Sequence, residues 1–150
     1  MKIPWIFHKD YDIPLPKNHR FSSSKFGDLY TLLIDSELAK SAEVFIPNAA
    51  KDSQLTKVHT RDYISKIKNR NLSNKEEKIL GLPWSETLSK RSYLAVNGTY
   101  LTAKLALING IACHLAGGTH HAHANFGSGF CVYNDLAYAA KNIISDGKCK

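Results

Sequence analysis

The chain is poor in cysteine, methionine and tryptophan, with three, one and two of them among 150 residues. Cys113, Cys131 and Cys149 are spaced eighteen apart and form no C-x-x-C pair. That spacing and the odd count exclude a disulfide framework and a thiolate zinc site, and point to reduced thiols in a cytoplasmic protein. No apolar run approaches the roughly 18 residues that a membrane helix needs. The segment Met1 to Asp10 starts basic, but its apolar stretch is too short for a signal core and ends in charge. Like charges never run to five, although Lys and Arg outnumber Asp and Glu by 20 to 13, a net +7. Basic residues so scattered favour solubility and give no footprint for a specific nucleic acid. Repeats and low-complexity segments are absent too. What is present is a globular composition, 43% apolar and 22% charged, at a length that suits one domain.

Hydrophobic periodicity divides the chain into alternating strands and helices. Ile3 to His8 reads as a first strand, and the Pro- and Ser-bearing stretch Tyr11 to Lys25 as a long loop, a length usually functional or mobile. Ser23 or Ser24 is placed to cap a helix carrying Phe26, Leu29, Tyr30, Leu33 and Leu38. Glu43 to Pro47 reads as a second strand, followed by short helices near 51–57 and 60–69. Ser73 and Glu76 form the S-x-x-E capping box of the next helix. Ser85 is placed to cap a long helix over 86–109, with Leu94, Gly98, Leu101, Leu105 and Ile108 in one stripe. Leu101 to Ile108 is apolar nearly all round, which predicts burial on more than one side. Gly98 lowers helix propensity by about 1 kcal/mol, and close approach of a neighbouring element would compensate. Gly110 suits a helix C-terminus. Ile111 to Leu115 reads as a strand covered on both faces, and a last helix over 135–146 is capped by Asn134 and closed by Gly147. The sum is an α/β unit with a parallel sheet.

The loop from Gly117 to Phe130 holds three of the seven histidines and four of the nine glycines. It leaves a strand end, where open α/β sheets bind ligands. Glycine permits positive φ and close ligand approach, and imidazole exchanges protons near neutral pH. Such a loop can serve proton transfer, and a glycine-supported turn can bring His120 and His121 to one pocket. On the residues alone, such a pair is more often a surface accident than a catalytic one. His123 reads as a solvent-facing loop residue and His114 as a hydrogen-bonded core histidine. Phe130 and Tyr133 read as core, and Cys131 as a buried thiol.

The compound motif Gly117-Gly118-Thr119-His120-His121-Ala122, Gly127-Ser128-Gly129-Phe130-Cys131 and Asn134-Asp135 spans nineteen residues. It resembles the G-G-x-H-H-A…G-x-G-F-C-x-x-N-D signature of the histone deacetylase family. Tyr11-Asp12 with Pro16-Lys17-Asn18-His19-Arg20-Phe21 resembles the family's first active-site loop. Val58-His59 with Asp62-Tyr63 is similar to its V-H-x-x-x-Y segment, and Gly81-Leu82-Pro83-Trp84-Ser85 matches as well. The flavour is nearest to bacterial and class IV members.

The resemblance implies the N-terminal half of an arginase/deacetylase-like α/β domain over residues 1–150, with a central, mostly parallel sheet flanked by helices. It implies zinc-dependent hydrolysis of the amide of acetyl- or acyl-lysine or a related acylated amine. Carried over by motif, His121 is the general base and acid, and His120 gives electrostatic help and a hydrogen bond. Gly129 and Phe130 form the wall of the acyl-lysine tunnel, and Arg20 stands by the channel for carboxylate product. No zinc ligand is matched in this chain; the family's Asp-x-His pair, later Asp and Tyr, and the carboxylates that orient the histidines, are expected beyond Lys150. The chain alone is thus expected to be inactive and aggregation-prone, with a missing C-terminal half or a complementing chain as its partner. A non-enzymatic acyl-amine-binding module is the alternative, and a basic nucleic-acid-binding domain a more distant one.

Overall fold

The computed structural model describes residues 2–22 and 24–149. Three strands form one all-parallel sheet in the order β2-β1-β3: β1 is Ile3–Ile6, β2 Ala42–Phe45 and β3 Cys113–His114. The helices are α1 (Lys25–Ile34), α2 (Asp52–Leu55), α3 (Arg61–Asn69), α4 (Asn74–Leu80), α5 (Glu86–Asn109) and α6 (Asp135–Ser145). Parallel strands require crossovers, and the sequence supplies them: α1 links β1 to β2, and α2 to α5 lead to β3. The α/β expectation therefore holds. No described helix is long and apolar enough to cross a membrane.

Local chemistry sets the helix ends. Ser73 Oγ accepts from the Glu76 N–H while the Glu76 carboxylate accepts from the Ser73 N–H, at 3.3 and 2.7 Å, which closes the capping box. Ser85 Oγ accepts from Leu88 N at 3.0 Å and Asn134 Oδ1 from Ala137 N at 3.0 Å. Helix α1 departs from expectation. Ser24 bonds Asp28 instead of the helix backbone, and Asp12 Oδ1 and Oδ2 accept from Phe26 N and Gly27 N at 3.2 and 3.0 Å. A carboxylate delivered from a distant loop does the capping, favoured by the positive end of the helix dipole. Ser23 lies outside the described residues. Helix α1 stops at Ile34, and Leu38 falls in a separate 3₁₀ turn.

Helix α5 is the spine. Leu88, Leu94, Ala95, Val96 and Tyr100 are buried along its first four turns, against β1 on one side and α6 on the other. Gly98 permits the close packing. A Cβ there would stand 2.5 Å from His114 Nε2 and nearer still to Tyr11 Oη. Two expectations fail next to this region. The second half of α5 is covered on one side only: Ala103 packs against the core beside α6, while Leu107 and Ile108 are 55% and 75% exposed. The strand after it has only two residues, with Cys113 exposed and Ile111 49% exposed, so it is not covered on both faces.

Candidate functional site

The glycine-rich loop runs from β3 to α6 and is held from beneath by buried polar groups. Asp135, the first residue of α6, is fully buried; its Oδ2 accepts from Gly118 N at 2.8 Å and from Thr99 Oγ1 at 2.6 Å. With the Thr99 hydroxyl donating there, His114 Nδ1–H donates to Thr99 Oγ1 at 2.9 Å, and His114 Nε2 accepts from the Tyr11 hydroxyl at 2.8 Å. Burial is the main cause holding His114 down to about 4, opposed by Asp135 and reinforced by Arg91. His114 is thus a neutral, bonded scaffold group, as its place in an apolar run suggested.

His120 and His121 turn their rings to each other, with centroids 4.2 Å apart and planes tilted by 39°. Both residues are exposed. His120 Nδ1 donates to Gly118 O at 2.9 Å, and no described bond engages its Nε2. Among the described residues, no carboxylate bonds either ring. Gly129, at φ 55°, lies under His121: a Cβ there would meet the imidazole Cγ at 3.2 Å. Phe130 also takes a left-handed conformation, φ 66°, a strain of about 1–2 kcal/mol for a residue with a Cβ. Its N–H donates to Leu80 O at 2.8 Å, and its ring packs 5.5 Å from Phe21 and 6.1 Å from His19, over Gly81. The half-buried Phe130 is therefore a wall rather than interior core, whereas Tyr133 and Cys131 are buried.

A cavity of about 480 Å³ brings Arg20, His121, Gly129 and Phe130 together; His120 supports His121 from outside its lining. The same cavity is lined by Lys25 and Arg91, which sequence patterns alone do not single out. Arg91 is 3% exposed, its Nε donating to Tyr11 O at 2.8 Å and its guanidinium 4.9 Å from the Phe26 ring centre. Burial lowers both cations, and for Lys25 the charge of Arg91 adds to the effect. The available signal was a cation at the apolar spacing Leu88, Arg91, Leu94, Ala95 on α5. Three cations around one cavity create a field that favours an anion or a developing negative charge.

His123 is exposed, stacked at 4.3 Å on Phe126, in line with a solvent-facing role. His59 is the other residue whose role the sequence does not disclose. It is 3% exposed and bonds both the loop and the start of α6.

The profile of the histone deacetylase domain matches residues 19–150. An uncharacterized protein of Picosynechococcus sp. is 42% identical over 147 residues, 98% of this chain and 49% of that protein. The acetoin utilization protein AcuC of Staphylococcus aureus is 31% identical over 140 residues, 85% of this chain and 36% of AcuC. AcuC of Staphylococcus xylosus is 34% identical over 131 residues, 79% and 34% of the two chains. This chain belongs to the histone deacetylase family. It spans about half, or less, of the length of these relatives.

Proposed function

We propose that this chain supplies the proton-transfer pair and the substrate wall of a zinc-dependent deacylase acting on acetyl- or acyl-lysine, or on a related acylated amine. The observation that carries the reading is the exposed His120–His121 ring pair with His121, Gly129, Phe130 and Arg20 on one cavity. His121 accepts a proton from the attacking water and returns one to the leaving amine, a transfer suited to imidazole near neutral pH. His120, held by Gly118 O, offers a hydrogen bond and a second positive charge when protonated. The Phe130 ring packs on the methylene stem of the substrate, and the Gly129 carbonyl faces it. Arg20, with Lys25 and Arg91, draws the released carboxylate away from the imidazoles.

Among the described residues, no three His, Cys, Asp or Glu side chains come together to hold a metal ion. The described side chains assemble no such set, and the zinc ligands are expected beyond Lys150, from a C-terminal half or a complementing chain. A zinc hydrolase uses three protein ligands and an open position, so residues 1–150 alone are inactive on this reading. The exposed apolar side chains Leu107, Ile108, Ile111, Leu136 and Ile144 are where that partner packs. The compartment proposed is the cytoplasm.

A fluorogenic acetyl-lysine assay paired with zinc analysis tests the proposal in the complete protein. Turnover with bound zinc is expected. Acyl-lysine binding without turnover would replace the reading with that of a binding module, and neither binding nor turnover would end it.

A further inference from the structure

His59 lies in the turn before α3, far in sequence from the histidine loop, yet its ring is bonded at both nitrogens to that loop and its exit. Nδ1 lies 2.9 Å from His123 O, and a carbonyl only accepts, so Nδ1 carries the proton. Nε2 accepts from the Asn134 N–H at 3.1 Å. Two independent partners thus fix the same neutral tautomer. The adjacent Thr60 N donates to Ala124 O at 2.8 Å, so two consecutive residues grip residues 123 and 124. Asn134 extends the grip, its Nδ2 donating to His120 O and Ala122 O at 3.2 Å each. The bonds therefore run from His59 through Asn134 to the backbone on either side of His121.

We infer that His59 is a positioning residue: with Asn134 it clamps the backbone carrying His120 and His121 so that the two rings stay paired at the cavity. The inference rests on the catalytic reading of that loop, although the clamp itself is tested without turnover. The His59 ring packs 5.1 Å from Tyr133 and 5.9 Å from Tyr63, so His59→Phe keeps the packing and removes both bonds. Residues that orient functional histidines through hydrogen bonds are worth about 10–100-fold when removed.

Long-range proton–nitrogen NMR of the complete, unsubstituted protein is the first test. A neutral His59 ring protonated on Nδ1 is expected, and protonation on Nε2 overturns the clamp whatever the protein catalyses. In His59→Phe, amide exchange at Asn134 and Thr60 is expected to speed up about tenfold or more, while exchange in the first half of α5 is unchanged. The nuclear Overhauser effect between the His120 and His121 rings is expected to vanish in the same variant. Unchanged exchange with the effect still present overturns the inference. In the complete protein, kcat of His59→Phe falls about tenfold or more while KM and zinc content hold; an unaltered kcat contradicts the positioning role. A complete protein with no turnover at all refutes the catalytic reading instead, and leaves the clamp to be decided by the tautomer.

Discussion

Four of the histidines within or against one loop form two pairs in two environments. His59 and His114 are bonded at both nitrogens beneath the loop, and burial lowers both. His120 and His121 stand exposed on the other side, ring against ring, and the one described ring bond is from His120 Nδ1 to Gly118 O. The same side chain is architecture where both nitrogens are consumed, and a free ring nitrogen is what the proposed proton transfer requires. The difference lies in the partners, since the residue type is shared.

The largest expected effect on stability is from His114→Leu. It leaves the Tyr11 hydroxyl and Thr99 Oγ1 without their buried partner, a loss of about 2–4 kcal/mol by urea denaturation. A loss below about 0.5 kcal/mol would place His114 with the exposed pair and break the division. Acid probes the same point without mutation. Burial favours the neutral ring, so the unfolded chain binds more protons. The contribution of His114 is complete above 6.5 and is lost as pH falls toward about 4. His59 adds to the loss with the same sign, since burial lowers it as well. Denaturation midpoints should therefore fall across that window, and a flat profile would contradict the neutral, buried assignment.

A smaller effect is expected at Gly98, where a methyl group would press on Tyr11 Oη and His114 Nε2. Overpacking costs about 1–3 kcal/mol and the gain in helix propensity returns about 1 kcal/mol, so Gly98→Ala is net destabilising. A stabilised variant would show that the packing against His114 is loose. The smallest effect belongs to His123→Ala, an exposed ring stacked only on Phe126, with a change within about 0.5 kcal/mol.

What could be read from the sequence was what neighbours in the chain decide. The capping box at Ser73, the cap at Ser85, the end of α5 at Gly110 and the cap at Asn134 all lie where the residue pattern placed them. The rings of His120 and His121 also come together, as the flanking glycines allow, but only His121 lines the cavity, so the expected shared pocket is met in part. Bonds between distant residues stayed hidden. Asp12 caps α1 across fourteen residues, and His59 reaches His123 and Asn134 across 64 and 75. Arg91 reads as an oddity on an apolar stripe until α5 is seen to border the cavity. The second half of α5 shows the opposite failure. Its apolar pattern predicts burial on more than one side, but among the described residues α6 covers one side only and leaves Leu107 and Ile108 55% and 75% exposed.

The most direct test is His121→Ala in the complete protein, with acetyl-lysine hydrolysis and zinc stoichiometry read on the same preparation. Nearly all turnover should vanish while the metal stays bound, since the proposed role of His121 is proton transfer. Substantial remaining turnover with zinc in place would contradict its role.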